Sequence, residues 1–268
     1  MGREGAANVR SDGEGASVDP AEIARFSAIA AEWWDPWGPM RALHILNPTR
    51  VRYIADILTR EIGVRETAAT DRPLAGLRLL DIGCGAGVLA EPLARLGADM
   101  TAIDPAAANI VAARAHAAQS GLSIDYQARS AEDLATEGGV FDAVLAMEVV
   151  EHVIDRPAFI ATAASLVRPG GFFFAATLNR TFKSYAFAIV GAERILRWVK
   201  PGTHDWRMFV TPTELGDDLK NAGMSIYDLT GVVYNPLFGE WRTSDDCSIN
   251  YMMAAENVRD ERVTPEVG

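Results

Sequence analysis

Leu80-Asp81-Ile82-Gly83-Cys84-Gly85-Ala86-Gly87 is the stretch that decides the fold. It closes an apolar run that begins at Leu77 and reads as a short buried strand ended by glycines. Glycine reaches backbone angles closed to other residues and lets a ligand approach the main chain. A strand, such a loop and a helix N-terminus together make a nucleotide-type site at the carboxyl edge of a parallel sheet. Two spaced glycines alone are a weak signal, because many glycine turns are only turns.

Working outward, the pattern repeats. Strands are predicted at 98–103, 123–128, 141–147 and 172–177, with helices to about 96 and at 106–119 and 156–167. Alternating strands and helices of this length predict βαβ units, hence a doubly wound parallel sheet covered on both faces. Pro92 fits the first of these helices only in its first turn. Thr211-Pro212-Thr213-Glu214 reads as a capping box that starts a late helix, followed by strands near 224–229 and 248–254.

Ahead of the sheet, Asp19-Pro20 and Asn47-Pro48 both look like helix starts. Ile23, Phe26, Ala30, Trp33 and Trp34 give the first helix its apolar side, and Val51, Ile54, Ala55 and Leu58 the second. The division expected is a disordered tail at 1–18, a helical cap and linker at 19–73, a ligand-binding domain at 74–256 and a tail at 257–268. An insertion at 179–210 interrupts the alternation after the fifth strand.

The chain has 268 residues, 49% of them hydrophobic and 23% charged, enough for a sizeable core. A net charge of -11 argues against a nucleic-acid partner, which needs clustered Lys and Arg. Cys84 and Cys247 have neither metal-ligand spacing nor a disulfide framework, as in a reducing cytoplasm. No apolar run approaches the length of a membrane span.

Three features refine the glycine loop. Asp81 stands two positions before Gly83. Val88 occupies the place where a pyrophosphate-binding fingerprint wants its third glycine. Asp104 ends the second strand 21 residues after Gly83, where a carboxylate can take both hydroxyls of a ribose. A dinucleotide dehydrogenase would share that acid. Its pyrophosphate, however, would be repelled by Asp81, whereas a sulfonium cation tolerates the charge. The residues therefore favour an adenosyl sulfonium ligand. Ser130-Ala131-Glu132-Asp133 could meet an adenine amine or simply cap a helix, and Met147 could border the ligand or fill the core.

Further motifs resemble one family. They are Ala31-Glu32-Trp33-Trp34-Asp35, Leu43-His44 through Arg50, Met147-Glu148-Val149-Val150-Glu151-His152-Val153, Thr177-Leu178-Asn179-Arg180 and Gly202-Thr203-His204-Asp205-Trp206. Together with the loop they resemble the O-methyltransferases of ubiquinone biosynthesis over roughly residues 20–254. That resemblance implies a class I methyltransferase fold, Rossmann-like, with an N-terminal helical cap and an insertion after strand five. It implies S-adenosylmethionine bound by Arg50, Gly83, Asp104 and Met147, and a polyprenylated catechol as substrate. It also implies a divalent ion, usually Mg2+, at Glu148, Glu151 and His152, and a biosynthetic complex as a candidate partner.

Methyl transfer to a phenol needs a deprotonated oxygen. A metal on the two glutamates could supply it, and so could His152 as general base. Glu148, Glu151 and His152 fall at i, i+3 and i+4, one face of a turn if the chain becomes helical at once. A hard ion would want more oxygen ligands than these. Finally, segment 180–200 carries Arg180, Lys183, Arg194, Arg197 and Lys200 against Glu193 alone, so its charge is 5 − 1 = +4. With its interleaved aromatic and aliphatic residues it predicts docking on an anionic membrane surface, placing the protein peripherally at the cytoplasmic face of the inner membrane; the alternative is a lid that packs these residues over the active site.

Overall fold

The computed structural model describes residues 19–63, 71–185 and 206–259. The expected tail at 1–18, most of the linker and most of the insertion lie outside these residues. Strands β1 (Arg78–Ile82), β2 (Asp99–Ile103), β3 (Asp125–Gln127), β4 (Phe141–Met147) and β5 (Val167–Leu178) are mutually parallel. β6 (Met224–Asn235), β7 (Glu240–Ser244) and β8 (Asn250–Asn257) complete one sheet in the order β3-β2-β1-β4-β5-β8-β6-β7. β8 enters antiparallel between β5 and β6. The order reverses between β1 and β4, which opens a crevice at the carboxyl ends of these strands.

Both faces of the sheet are buried, as the near-continuous apolar strands require. Phe172, Phe174 and Ala176 point to one side, and Phe173 and Ala175 to the other. The first side packs under α2 (Arg41–Glu61), α3 (Ala90–Arg95) and α4 (Ala107–Gln119). The second packs under α5 (Ala131–Ala135), α6 (Arg156–Ser165) and α8 (Pro212–Asn221). Phe173 is wholly buried, and truncation of such a side chain to alanine costs about 3–5 kcal/mol. The doubly wound arrangement expected from the alternation is thus present.

Several boundaries differ from the sequence reading. α1 (Pro20–Ser27) has the expected Asp19 cap but stops short of Trp33; a separate 3-10 turn spans Ala30–Glu32. Asn47-Pro48 does not start a helix, because α2 begins at Arg41 and runs through Pro48. The proline removes one helical hydrogen bond. Tertiary contacts on both sides hold the turn: His44 Nε2 meets the Trp33 carbonyl at 2.7 Å, and Asn47 donates to the Val88 carbonyl at 2.7 Å. β5 extends back through Pro169-Gly170-Gly171, and β7 was not anticipated. Pro92 does fall in the first turn of α3. Thr211 and Glu214 form the expected capping box. Ser130 and Asp133 form another, which is the plain structural alternative for that segment. Of the insertion, α7 (Phe182–Tyr185) and a 3-10 turn at Trp206–Met208 are described. No helix among the described residues is long and apolar enough to cross a membrane.

Candidate functional site

The glycine loop sits at the reversal point, tied down by its own backbone. The Gly83 and Cys84 amides both donate to the Ile103 carbonyl, at 2.8 and 3.0 Å. Gly83, Gly85 and Gly87 all have positive φ. An added Cβ at Gly85 would lie 2.2 Å from the Trp33 ring, and one at Gly87 would lie 2.0 Å from the Tyr126 hydroxyl. These positions therefore demand glycine on two counts, conformation and space.

Asp104 is where the second strand was expected to place it, but with an additional task. Its carboxylate accepts from the Gly85 amide at 2.9 Å, the Ala106 amide at 2.8 Å and the Asn109 side chain at 3.2 Å. Through these contacts it fixes the loop. Asp81 is buried, and one of its oxygens has no hydrogen-bond partner among the described residues. Burial, and then the charge of Asp104, push its carboxyl up to about 8, against a pull from Arg50. An unsatisfied buried carboxyl beside a loop of glycines suits a cationic ligand.

Arg50 comes from α2, is almost fully buried, and forms an ion pair with Glu148 just past β4. Among the described residues its Nε has no hydrogen-bond partner. Glu148 has φ 62°, rare for a residue with a side chain and a sign of local strain in this turn. Met147 ends β4 with its side chain in the core beneath α2, the plainer of its two readings.

Residues 148–151 form a turn rather than a helix, so the i, i+3, i+4 face does not form. Glu148 faces Arg50, while Glu151 is buried with one oxygen unpaired. His152 Nδ1 lies 2.9 Å from Glu22 on α1. Burial raises the Glu151 carboxyl, and the charge of Glu148 raises it further. For His152, burial pulls downward, but the Glu22 hydrogen bond and the charges of Glu151 and Glu22 prevail and raise its pKa. Among the described residues no three His, Cys, Asp or Glu side chains are grouped to hold a metal ion. The expected Mg2+ site at Glu148, Glu151 and His152 does not fit this arrangement, because Glu148 is taken up by Arg50 and His152 by Glu22, which leaves Glu151 alone with a free oxygen.

The structure adds contacts that the motifs did not reveal. Trp34 stacks on His116 with ring centroids 3.5 Å apart and donates to the Ala86 carbonyl at 2.9 Å. His116 in turn meets the buried Glu91 at 2.6 Å. With Trp33 over Gly85, these contacts fasten the N-terminal segment onto the glycine loop. The aromatic pair was visible in the sequence; its target was not, because the contact spans more than 50 residues.

Comparison with known proteins agrees. Residues 80–175 match the family described as "Methyltransferase domain". The magnesium protoporphyrin IX methyltransferase of Synechocystis, solved with bound SAH, superposes with a TM-score of 0.60 at 21% identity, covering 89% of this chain and 95% of that one. A possible histamine N-methyltransferase from Thermotoga maritima gives 0.59 at 15% identity, over 88% and 99%. At these identities the likeness concerns the fold. The ubiquinone biosynthesis O-methyltransferase of Methylocella silvestris is 57% identical over 91% of this chain and 96% of its own. That of Methylobacterium nodulans is 55% identical over 92% and 98%. With more than half its residues identical to such relatives along nine-tenths of its length, the chain belongs to the ubiquinone biosynthesis O-methyltransferase family.

Proposed function

We propose that this chain methylates a catechol hydroxyl of polyprenylated intermediates in ubiquinone synthesis, with Arg50, Gly83, Asp104 and Met147 forming the S-adenosylmethionine site. The observation that carries the reading is the pair of charges flanking β1: Asp104 on the β2 side and the buried Arg50 on the β4 side. An adenosyl amino acid has complementary ends, ribose hydroxyls for a carboxylate and an α-carboxylate for a guanidinium. Asp81 supplies the acid for its cationic groups. Met147 borders the ligand through its backbone at the end of β4, since its thioether belongs to the core.

S-adenosylmethionine, when bound, supplies a methyl on a sulfonium sulfur, whose S–CH3 bond breaks as the acceptor's O–CH3 bond forms, leaving S-adenosylhomocysteine. Transfer of this kind depends chiefly on alignment, which the rigid loop provides. His152 takes the catechol proton as general base. Methylation of a short-tailed prenyl catechol by purified protein, followed with labelled methyl donor, tests the reading. No product, with the adenosyl ligand bound, would overturn it.

A second element concerns access to a substrate that resides in lipid. We infer that segment 180–200 docks peripherally on an anionic membrane surface at the cytoplasmic face. Support comes from Phe182 and Tyr185, both exposed at the described end of the segment. Two of the basic charges are taken up within the fold, Arg180 by Glu214 and Lys183 by Asp246. The contribution then rests on Arg194, Arg197 and Lys200, outside the described residues.

A further inference from the structure

Trp33 lies over the glycine loop with a buried hydrogen-bond donor unspent. The residue is 7% exposed, and its outer ring edge rests against Gly85: a Cβ added there would fall 2.2 Å from Cη2 and 2.4 Å from Cζ3. Ala30, Met40, Ala86 and Val88 complete an apolar surround. The backbone is pinned as well. The Trp33 carbonyl meets His44 Nε2 at 2.7 Å, and Trp34 donates to the Ala86 carbonyl at 2.9 Å. Among the described residues the buried Trp33 Nε1 has no acceptor. An indole nitrogen can only donate, and a buried donor left unpaired is costly. Trp34 makes the contrast, since its own N–H is satisfied.

The position of the ring indicates the partner. Gly85, beneath the ring, donates its amide to Asp104 at 2.9 Å. A ribose held by the Asp104 carboxylate therefore comes to lie beside the indole. We propose that Trp33 is a further binding residue for S-adenosylmethionine: its ring walls the adenosyl half of the ligand, and its Nε1–H donates to a ribose oxygen. The proposal rests on the reading of Asp104 as the ribose acceptor. A hydroxyl oxygen can accept from the indole while its own proton goes to the carboxylate, so the two contacts are compatible. In the purely structural alternative, the ring only fastens the N-terminal segment to the loop, as Trp34 does.

The full-length protein with two ligands separates these roles. Both S-adenosylhomocysteine and 5′-methylthioadenosine carry the ribose, and only the first carries the amino-acid end. Trp33→Phe keeps an aromatic ring and removes the donor. We expect it to weaken both ligands alike, by about fivefold or more, in calorimetric titration. Trp34→Phe removes a donor that is already satisfied within the fold, so it measures unfastening alone and should cost clearly less affinity. A spectroscopic readout does not depend on the stability of any variant. With isotope-labelled tryptophan, the indole N–H signal of Trp33, identified among six by its loss in Trp33→Phe, should move downfield and exchange more slowly when either ligand is added. Unchanged affinity in Trp33→Phe, a loss confined to S-adenosylhomocysteine, an equal loss in Trp34→Phe, or a Trp33 signal that does not move downfield would each overturn the proposal. Should the wild-type protein bind neither ligand, the adenosyl site itself fails, an outcome distinct from a silent Trp33 variant.

Discussion

Arg50 and Glu148 lie 98 positions apart in sequence and form an ion pair across the carboxyl edge of the sheet. The arginine is the more deeply buried partner, and among the described residues its Nε remains unpaired. A buried guanidinium that lacks part of its hydrogen bonding is costly unless a ligand completes it. In the proposed site the ligand's α-carboxylate does so, competing with Glu148.

Arg50→Met should therefore weaken S-adenosylhomocysteine binding by about tenfold or more, as expected for a charge-assisted hydrogen bond. 5′-Methylthioadenosine lacks the amino-acid end and should bind both proteins alike. Glu148→Gln should tighten S-adenosylhomocysteine by relieving the competition. Calorimetric titration of both ligands decides the matter; equal losses for both ligands in Arg50→Met would move Arg50 out of the ligand's amino-acid end.

Asp104→Ala should reduce both ligand affinity and stability. The sequence suggests a ribose contact alone, but the carboxylate also anchors the Gly85 and Ala106 amides. Each hydrogen bond to a charged group contributes about 1.5–3 kcal/mol. A loss of that size should lower Tm by at least about 3 °C in a domain of this length. Thermal unfolding of the ligand-free protein measures the anchoring, and an unchanged Tm would restrict Asp104 to the ligand.

That double duty marks the limit of what sequence can disclose. The βαβ alternation, the loop and Asp104 were legible because each depends on local period or on spacing along one strand-turn-helix unit. Helix boundaries failed where tertiary contacts override local signals. Pro48 reads as a start, yet α2 runs through it because His44 and Asn47 bond to Trp33 and Val88. The proposed grouping of Glu148, Glu151 and His152 failed for a related reason: spacing assumed a helix, whereas the positive φ of Glu148 turns the chain otherwise. Glu22 carried no signal at all, since an acid in the first turn of a helix is ordinary.

Asp81 should give a pH signature. Its carboxyl is pushed up to about 8 in the folded protein, from an ordinary value of 3.8. A raised carboxyl means that the folded state holds the proton more tightly than the unfolded one. The associated stability is complete below the unfolded value and is lost as pH rises through about 8. Asp81→Asn mimics the protonated form, so its Tm advantage over wild type should grow from about pH 5 to about pH 8.5. A pH-independent difference would contradict this. Binding of a cationic ligand at neutral pH should also release a proton, visible as a calorimetric heat that varies with the buffer's ionisation enthalpy.

Gly85→Ala tests how the N-terminal segment is fastened. The new methyl would collide with the Trp33 ring at a residue whose φ is +53°. Overpacking of this kind costs about 1–3 kcal/mol. We expect the ring to be displaced, shifting tryptophan emission to the red and weakening S-adenosylhomocysteine. In a Trp33→Leu background the same substitution should leave emission nearly unchanged and cost less affinity. An identical emission shift in both backgrounds would mean that another tryptophan reports the change.

Membrane docking is the remaining prediction, and the structure alters how it should be tested. Lys183 is bound to Asp246 at 2.5 Å and to Ser248 at 2.8 Å, and Arg180 to Glu214. Reversing Lys183 would break a fold contact as well as change the surface charge. The informative variant is Arg194→Glu/Arg197→Glu, which leaves those pairs intact. Each basic residue near an anionic surface adds about 1 kcal/mol of attraction. Two reversals should therefore abolish most of the binding to vesicles of anionic lipid, while neutral vesicles bind little of either protein. Raising salt should release the wild type, because the attraction is screened. Phe182→Ser, at a residue 83% exposed, should weaken pelleting without altering the salt dependence. Equal, negligible sedimentation under every condition would discard the docking surface and leave the insertion as a cover over the acceptor site.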